Sequence, residues 1–122
     1  MKLGPATPIL RMFDEEKARA FYIDWLRFSV TFEHRFGTNM PLYLGLERDS
    51  VELHLSEHHG DTTPGTRVRI AVQDLQGFYD DIMTRPYPHL RPDAPQEQSW
   101  GEWYLTLTDP FGNRLSFYEA KA

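Results

Sequence analysis

The chain contains no cysteine. Disulfides, thiolate nucleophiles and cysteine-bound zinc or iron–sulfur centres are thereby excluded. It also has no apolar run near the roughly 20 residues that a membrane span requires, so no membrane partner is expected. Basic residues are not in excess: 13 Lys and Arg stand against 18 Asp and Glu, a formal charge of −5. That balance disfavours nucleic acid and weakly favours a cationic partner. No serine sits beside a histidine at a recognisable nucleophile elbow. The amino-terminal stretch Met1–Pro8 is too short and proline-rich for a secretion signal, and with the missing thiols this leads to the expectation of a cytoplasmic protein.

What remains is a globular composition. The 122 residues are 40% apolar and include 3 Trp, 6 Tyr and 8 Phe, enough for one domain with a working core. The organising stretch is Trp103 to Glu119. Tyr104, Thr106 and Thr108 alternate with Leu105 and Leu107, and Leu115 and Phe117 alternate with Ser116 and Tyr118. A period of two marks half-buried strands. Between them, Asp109-Pro-Phe-Gly-Asn113 supplies a capping carboxylate, a preset φ and a residue tolerant of positive φ. An earlier hairpin has the same shape: Tyr43-Leu-Gly-Leu46 matches Tyr104-Leu-Thr-Leu107 at an offset of 61. Before each hairpin lies an apolar strand ending in aspartate, Asp14 or Asp74, and then a helical run. The chain therefore reads as a duplicated unit.

In order, the first strand covers Ala6 to Met12, with Pro8 confining its start to an edge or an exchanged arm. Asp14 is placed to cap a helix over Glu15–Arg27, whose Ala18, Phe21, Tyr22 and Trp25 share a core-facing stripe. From Phe28 to Phe36 the residues alternate, with Phe28, Val30, Phe32 and His34 expected on one face and Glu33 among those on the other. The first hairpin runs from about Pro41 to Glu57, and Glu52 and His54 share its polar face. His58, His59 and Asp61 fall in a loop and are expected to be solvated rather than metal-bound. A second helix is expected from Asp74 to about Thr84. The proline-rich stretch beyond it has room for a short strand near His89–Arg91. Trp100, beside Gly101 in a polar loop, lies off every core stripe and is the aromatic most suited to ligand stacking.

The duplicated strand–helix–three-strand unit, the ending Thr108-Asp-Pro-Phe-Gly-Asn-Arg-Leu-Ser-Phe-Tyr-Glu119 and the run Gln98-Ser-Trp-Gly-Glu-Trp103 together resemble the vicinal oxygen chelate superfamily. This superfamily holds glyoxalase I, extradiol dioxygenases and the fosfomycin- and bleomycin-resistance proteins. The Trp-Gly run and Ala6-Thr-Pro-Ile-Leu10 look more like the bleomycin-resistance branch. The resemblance covers nearly the whole chain. It implies an α+β fold of two βαβββ modules in pseudo-two-fold repeat, with curled, cleft-bearing mixed sheets. Module one spans about 6–57, a linker about 58–65 and module two about 66–120, within one domain of 1–122. A homodimer is implied, domain-swapped or side by side; with an exchanged arm, deleting residues 1–8 would give monomers.

The metal-ligand positions of the superfamily fall on Thr7, Glu52, Arg67 and Ser116. Only Glu52 of these is a credible donor, since hydroxyls are poor ligands and a guanidinium repels a cation. No metal and no cofactor are therefore expected. Glu52 and Arg67 are expected to pair where the ion would sit. The resulting reading is a non-catalytic protein of the bleomycin-resistance type that sequesters a bulky, aromatic, partly cationic compound. Its ligand-binding residues would be Phe32, Phe36, Glu52, His54, Ser56, Arg67, Trp100 and Trp103, with Glu33, Glu97 and Glu102 attracting a cationic tail. Phe32, Ser56 and Trp100 match drug-contact positions of that branch, whereas Thr31 stands where it carries an acid. Two other readings are a metal-dependent lyase, dioxygenase or thiol transferase of the same fold, with His34, His54 or His89 recruited as ligands, and an immunity-like interaction protein.

Overall fold

The computed structural model describes residues 1–121. Its elements fall into two successive units. The first contains β1 (Ile9–Arg11), helix α1 (Glu15–Ala18, continuing with wider winding over Arg19–Trp25), β2 (Ser29–His34), β3 (Tyr43–Arg48) and β4 (Val51–Ser56). The second contains β5 (Arg67–Ala71), α2 (Leu75–Met83), β6 (Gln96–Gln98), β7 (Glu102–Thr108) and β8 (Arg114–Ala120). Each unit forms its own four-stranded sheet, β1-β4-β3-β2 and β5-β8-β7-β6, in which the first strand runs parallel to its neighbour and the rest are antiparallel. The duplication seen in the sequence is thus a duplication of topology. Each sheet ends in a short parallel strand, β1 or β5, whose outer edge has no partner strand among the described residues.

Asp14 caps the first helix as expected, its carboxylate accepting from Lys17 N–H at 2.9 Å. The second half of that helix winds wide, with Leu26 N–H reaching Phe21 C=O, a spacing of five residues that α-helical periodicity does not anticipate. Arg27, at φ 62°, ends it. Asp74 caps α2 from a left-handed conformation, φ 66°, by accepting from Gly77 N–H. The Glu119 carboxylate satisfies the first two backbone N–H groups there, at 2.8 and 3.0 Å. Those two bonds hold its pKa below the ordinary value.

Leu44, Leu46, Leu53 and Leu55 from one sheet, and Leu105, Leu107, Leu115 and Phe117 from the other, join Phe21, Tyr22, Trp25 and Ile82 of the helices in one buried cluster. The apolar faces of both sheets therefore share a core. Trp25 stacks on Tyr87 at 4.6 Å, and its indole N–H donates to Ile82 C=O across the two units.

A second fastening is the Asp109–Asn113 turn. Asp109 accepts from the backbone N–H groups of Phe111 and Asn113 and from the Asn113 side chain. It also accepts from the Tyr22 hydroxyl of α1 at 2.6 Å. Asn113 in turn donates to Arg11 C=O of β1 at 2.7 Å. Burial, and secondarily the Asp109 charge, push the Tyr22 hydroxyl pKa well above its ordinary value, so it stays a donor. The turn that closes the second hairpin thus bolts the two units together.

Three local expectations need correction. The first strand is shorter than Ala6–Met12, covering only Ile9–Arg11. No strand forms at His89–Arg91; the extra strand is β6, paired to β7 through Gln96–Tyr104 and Gln98–Glu102. Finally, β2 does not alternate uniformly. Val30 pairs with Leu46 but Phe32 with Gly45, so Thr31 is an inserted residue, a β-bulge. Val30 therefore lies on the core side, whereas Phe32 and His34 lie on the outer side with Gly45 and Tyr43.

Candidate functional site: the outer sheet faces

Strand parity sends Leu44, Leu46, Leu53 and Leu55 inward and leaves the first sheet's outer face to Phe32, Tyr43, Gly45, Glu47, Glu52 and His54. Gly45 is necessary there. A Cβ at that position would overlap the Phe32 ring, so the missing side chain lets the ring lie flat against the strand. Phe32 stacks with Tyr43 at 6.0 Å and 16° and meets His54 edge-on at 5.1 Å. Tyr43 and His54 are edge to face at 5.2 Å. Phe36, 76% exposed, extends the platform through His34 at 4.6 Å and His58 at 6.3 Å.

A hydrogen-bond chain fixes two of these rings, Tyr43 and His54. Tyr43 Oη lies 2.7 Å from His54 Nδ1, and His54 Nε2 lies 3.0 Å from Glu52 Oε1. A carboxylate accepts only, so the neutral imidazole carries its proton on Nε2 and Nδ1 accepts from Tyr43. Burial, with Asp61 adding to it, raises the Tyr43 pKa. The hydroxyl is thereby held as a donor, the opposite of what a phenolate nucleophile needs. The chain orients rings; it does not prime an attacking group.

The second sheet's outer face differs. It presents Arg67, Arg69, Glu102, Tyr104, Thr106, Arg114, Ser116 and Tyr118. Arg69 holds Glu102 through both terminal guanidinium nitrogens at 3.0 Å and lies 4.0 Å over the Tyr118 ring. That pairing lowers the Glu102 pKa and raises that of Arg69. Arg67 Nε donates to Ser116 Oγ at 3.0 Å, and Thr106 Oγ1 lies 3.3 Å from the same oxygen.

Of the sequence-derived candidates, the structure brings Phe32, Phe36, Glu52 and His54 together on the first sheet. Tyr43 joins them; its parity with Gly45 was the signal for it, and its role was not anticipated. Ser56 is fully buried, its hydroxyl donating to Asp61 and accepting from His58 N–H, so it locks a turn. Trp100 is 65% exposed at the β6–β7 turn of the second sheet, away from Phe32. Trp103 points to the core side of its strand, where the Lys121 ammonium lies over its ring at 5.7 Å.

The expected Glu52–Arg67 pair does not form within the chain. The two stand on different sheets, Glu52 bound to His54 and Arg67 to Ser116. Nor are the three acids free lures: Glu33 pairs with Arg19, Glu97 with Lys121 and Glu102 with Arg69. A divalent ion does not fit the matched positions, because two of them, Arg67 and Ser116, are bonded to each other and Arg67 is a fixed cation. Among the described residues, no group of three or more His, Asp or Glu is arranged to hold a metal. A cavity of about 620 Å³ lies elsewhere, between Arg48–Val51 of the first unit and β5 and α2 of the second.

Two matched βαβββ sheets around one core, with polar and aromatic outer faces, define the class. The chain belongs to the glyoxalase superfamily, whose family model, described as glyoxalase superfamily protein, matches residues 2–122. Among solved structures it is similar to a bleomycin resistance determinant encoded on the transposon Tn5, at 25% identity and a TM-score of 0.75, with 98% of this chain and 100% of that one covered. It is likewise similar to a bleomycin-binding protein complexed with bleomycin, at 25% identity, a TM-score of 0.74 and the same coverage. A glyoxalase-related enzyme from Clostridium phytofermentans shares the fold at 14% identity and a TM-score of 0.73, over 98% of this chain and 97% of that one. No curated protein matches the chain in sequence. Among the described residues, no helix is long and apolar enough to cross a membrane.

Proposed function

We propose that this protein sequesters a bulky aromatic, partly cationic compound without transforming it, in the manner of the bleomycin-binding relatives, using the outer face of the first sheet. The observation that carries the reading is the Phe32–Tyr43–His54 platform. Three rings lie within 6.0 Å of one another over a glycine; one hydrogen-bond chain pins Tyr43 and His54, and Phe32 packs against both. Rings held this way offer stacking area with little ordering cost on binding. Glu52, whose side chain is 52% exposed, and its exposed register partner Glu47 supply carboxylates beside the platform for a cationic group. The structurally similar proteins that bind bleomycin support a ligand of that bulk. We further infer a cytoplasmic homodimer, in which a second copy would turn the open platform into a cleft and leave it accessible to the ligand.

The test is a melting screen of bleomycin and a panel of cationic aromatic compounds. A binder at about a hundredfold over its Kd contributes about 2.7 kcal/mol, which raises Tm by several degrees. The shift should vanish in Phe32→Ala. Metal analysis of the purified protein runs alongside; a stoichiometric divalent metal with turnover of a substrate would replace this reading with an enzymatic one.

A further inference from the structure

The outer face of the second sheet holds three guanidinium groups on two adjacent strands, and only one is neutralised. Arg69 is consumed by Glu102. Arg67 uses only Nε, on the Ser116 hydroxyl. Its two terminal nitrogens, and the whole Arg114 guanidinium, have no protein partner among the described residues. Arg67 and Arg114 are register partners in the parallel pair β5–β8, so they stand side by side on one face, and both are exposed. The Thr106–Ser116 contact uses one of the two hydroxyl protons. The other is left to donate outward. The face therefore offers two guanidinium forks and an O–H, all donors, with no unpaired carboxylate on the outer face of β5, β7 or β8 among the described residues. Such a set matches an oxyanion and repels a cation.

We propose that Arg67, Arg114 and the Thr106–Ser116 hydroxyl pair form a binding site for a small organic oxyanion, an aryl carboxylate or aryl phosphate. Room for the uncharged remainder of such a molecule lies next to Thr106, in a cavity of about 310 Å³ lined also by Arg91, Asp93, Gln96 and Tyr104. The site is separate from the aromatic platform of the first sheet and does not depend on it. It makes the second sheet the acceptor of negative charge, in a chain whose total charge is −5.

The experiment is amide chemical-shift titration of the full chain at constant ionic strength, with benzoate, phenyl phosphate and neutral benzamide as probes. The charged probes should give saturable shifts at Arg67, Thr106, Arg114 and Ser116, and benzamide should not. Saturation by benzoate alone or phenyl phosphate alone decides between the carboxylate and phosphoryl source. Arg67→Gln should weaken binding by roughly tenfold, the effect of losing one charge-assisted bond, and R67Q/R114Q should abolish it. Both side chains are exposed, so an unchanged melting temperature will show that the variants fold. Shifts linear in concentration, equal for benzamide, or unchanged in R67Q/R114Q would overturn the proposal. Shifts at Phe32, Tyr43 and His54 report on the other sheet, so failure of either site is read separately.

Discussion

The two halves of the chain share a topology and a core pattern but not an outer face. Inward positions correspond closely: Leu44 and Leu46 in the first hairpin, Leu105 and Leu107 in the second, all nearly inaccessible to solvent. Outward positions have diverged. Where the first half has Tyr43 and Gly45, the second has Tyr104 and Thr106. Where the first half has Glu52 and His54, the second has Ser116 and Tyr118 beside a row of arginines. Core positions are constrained by volume, whereas outer positions are free to take up separate chemistry. The difference teaches that the duplicated scaffold carries two surfaces of opposite character, one aromatic and acidic, the other hydroxyl-rich and cationic.

The hairpin turns diverge too, and they give the largest expected effect. Asp109 is a buried carboxylate with four donors from the turn and from Tyr22, whereas Asp49, in the corresponding first turn, is exposed at φ 52°. Asp109→Ala should cost about 3 kcal/mol, since it strands the buried Tyr22 hydroxyl and Asn113 amide. Asp49→Gly should change stability by no more than about 0.5 kcal/mol, because glycine accepts that φ. Denaturant unfolding measures both, and equal losses would break the comparison.

Gly45→Ala comes next. The added Cβ should displace Phe32 at about 1–2 kcal/mol of overpacking and weaken any ligand of the platform. The equivalent Thr106 already carries a Cβ, and Thr106→Ala should leave the melting temperature nearly unchanged. The smallest effect is in acid. The carboxyls of Glu102 and Glu119, both in the second half, have pKa values held below the ordinary 4.5. The folded state then binds fewer protons than the unfolded one, so their stabilisation is present above pH 4.5 and drains away as pH falls below it. Glu119→Gln should flatten that fall in a series of melting curves between pH 6 and 3.

Much of this was legible in the chain itself. Alternating leucines showed the hairpins, Asp14 and Asp74 showed the helix starts, and Asp109-Pro-Phe-Gly-Asn113 showed the turn. The bulge at Thr31 was hidden, because Val30 and Phe32 keep the same parity in sequence while β3 decides which face each takes. Strand β6 was hidden for a related reason: Gln96-Glu-Gln98 has no strand propensity of its own and is held by the edge of β7. The partners of Glu33, Glu97 and Glu102 come from distant parts of the chain, so side chains that look free in the sequence are neutralised in the fold. Tyr43 stood in plain view and gained meaning only when Phe32 was seen lying over Gly45.

The unpartnered margins of β1 and β5 have a further consequence. A bare strand margin invites another chain to add on without limit, and fibrous aggregation is the outcome. Here β1 is three residues long and headed by Pro8, which has no N–H to offer, and β5 carries Arg67 and Arg69 along its length. The same arginines that colour the second face thus also keep copies of the protein from stacking strand on strand, and a variant stripped of both would trade solubility for stickiness.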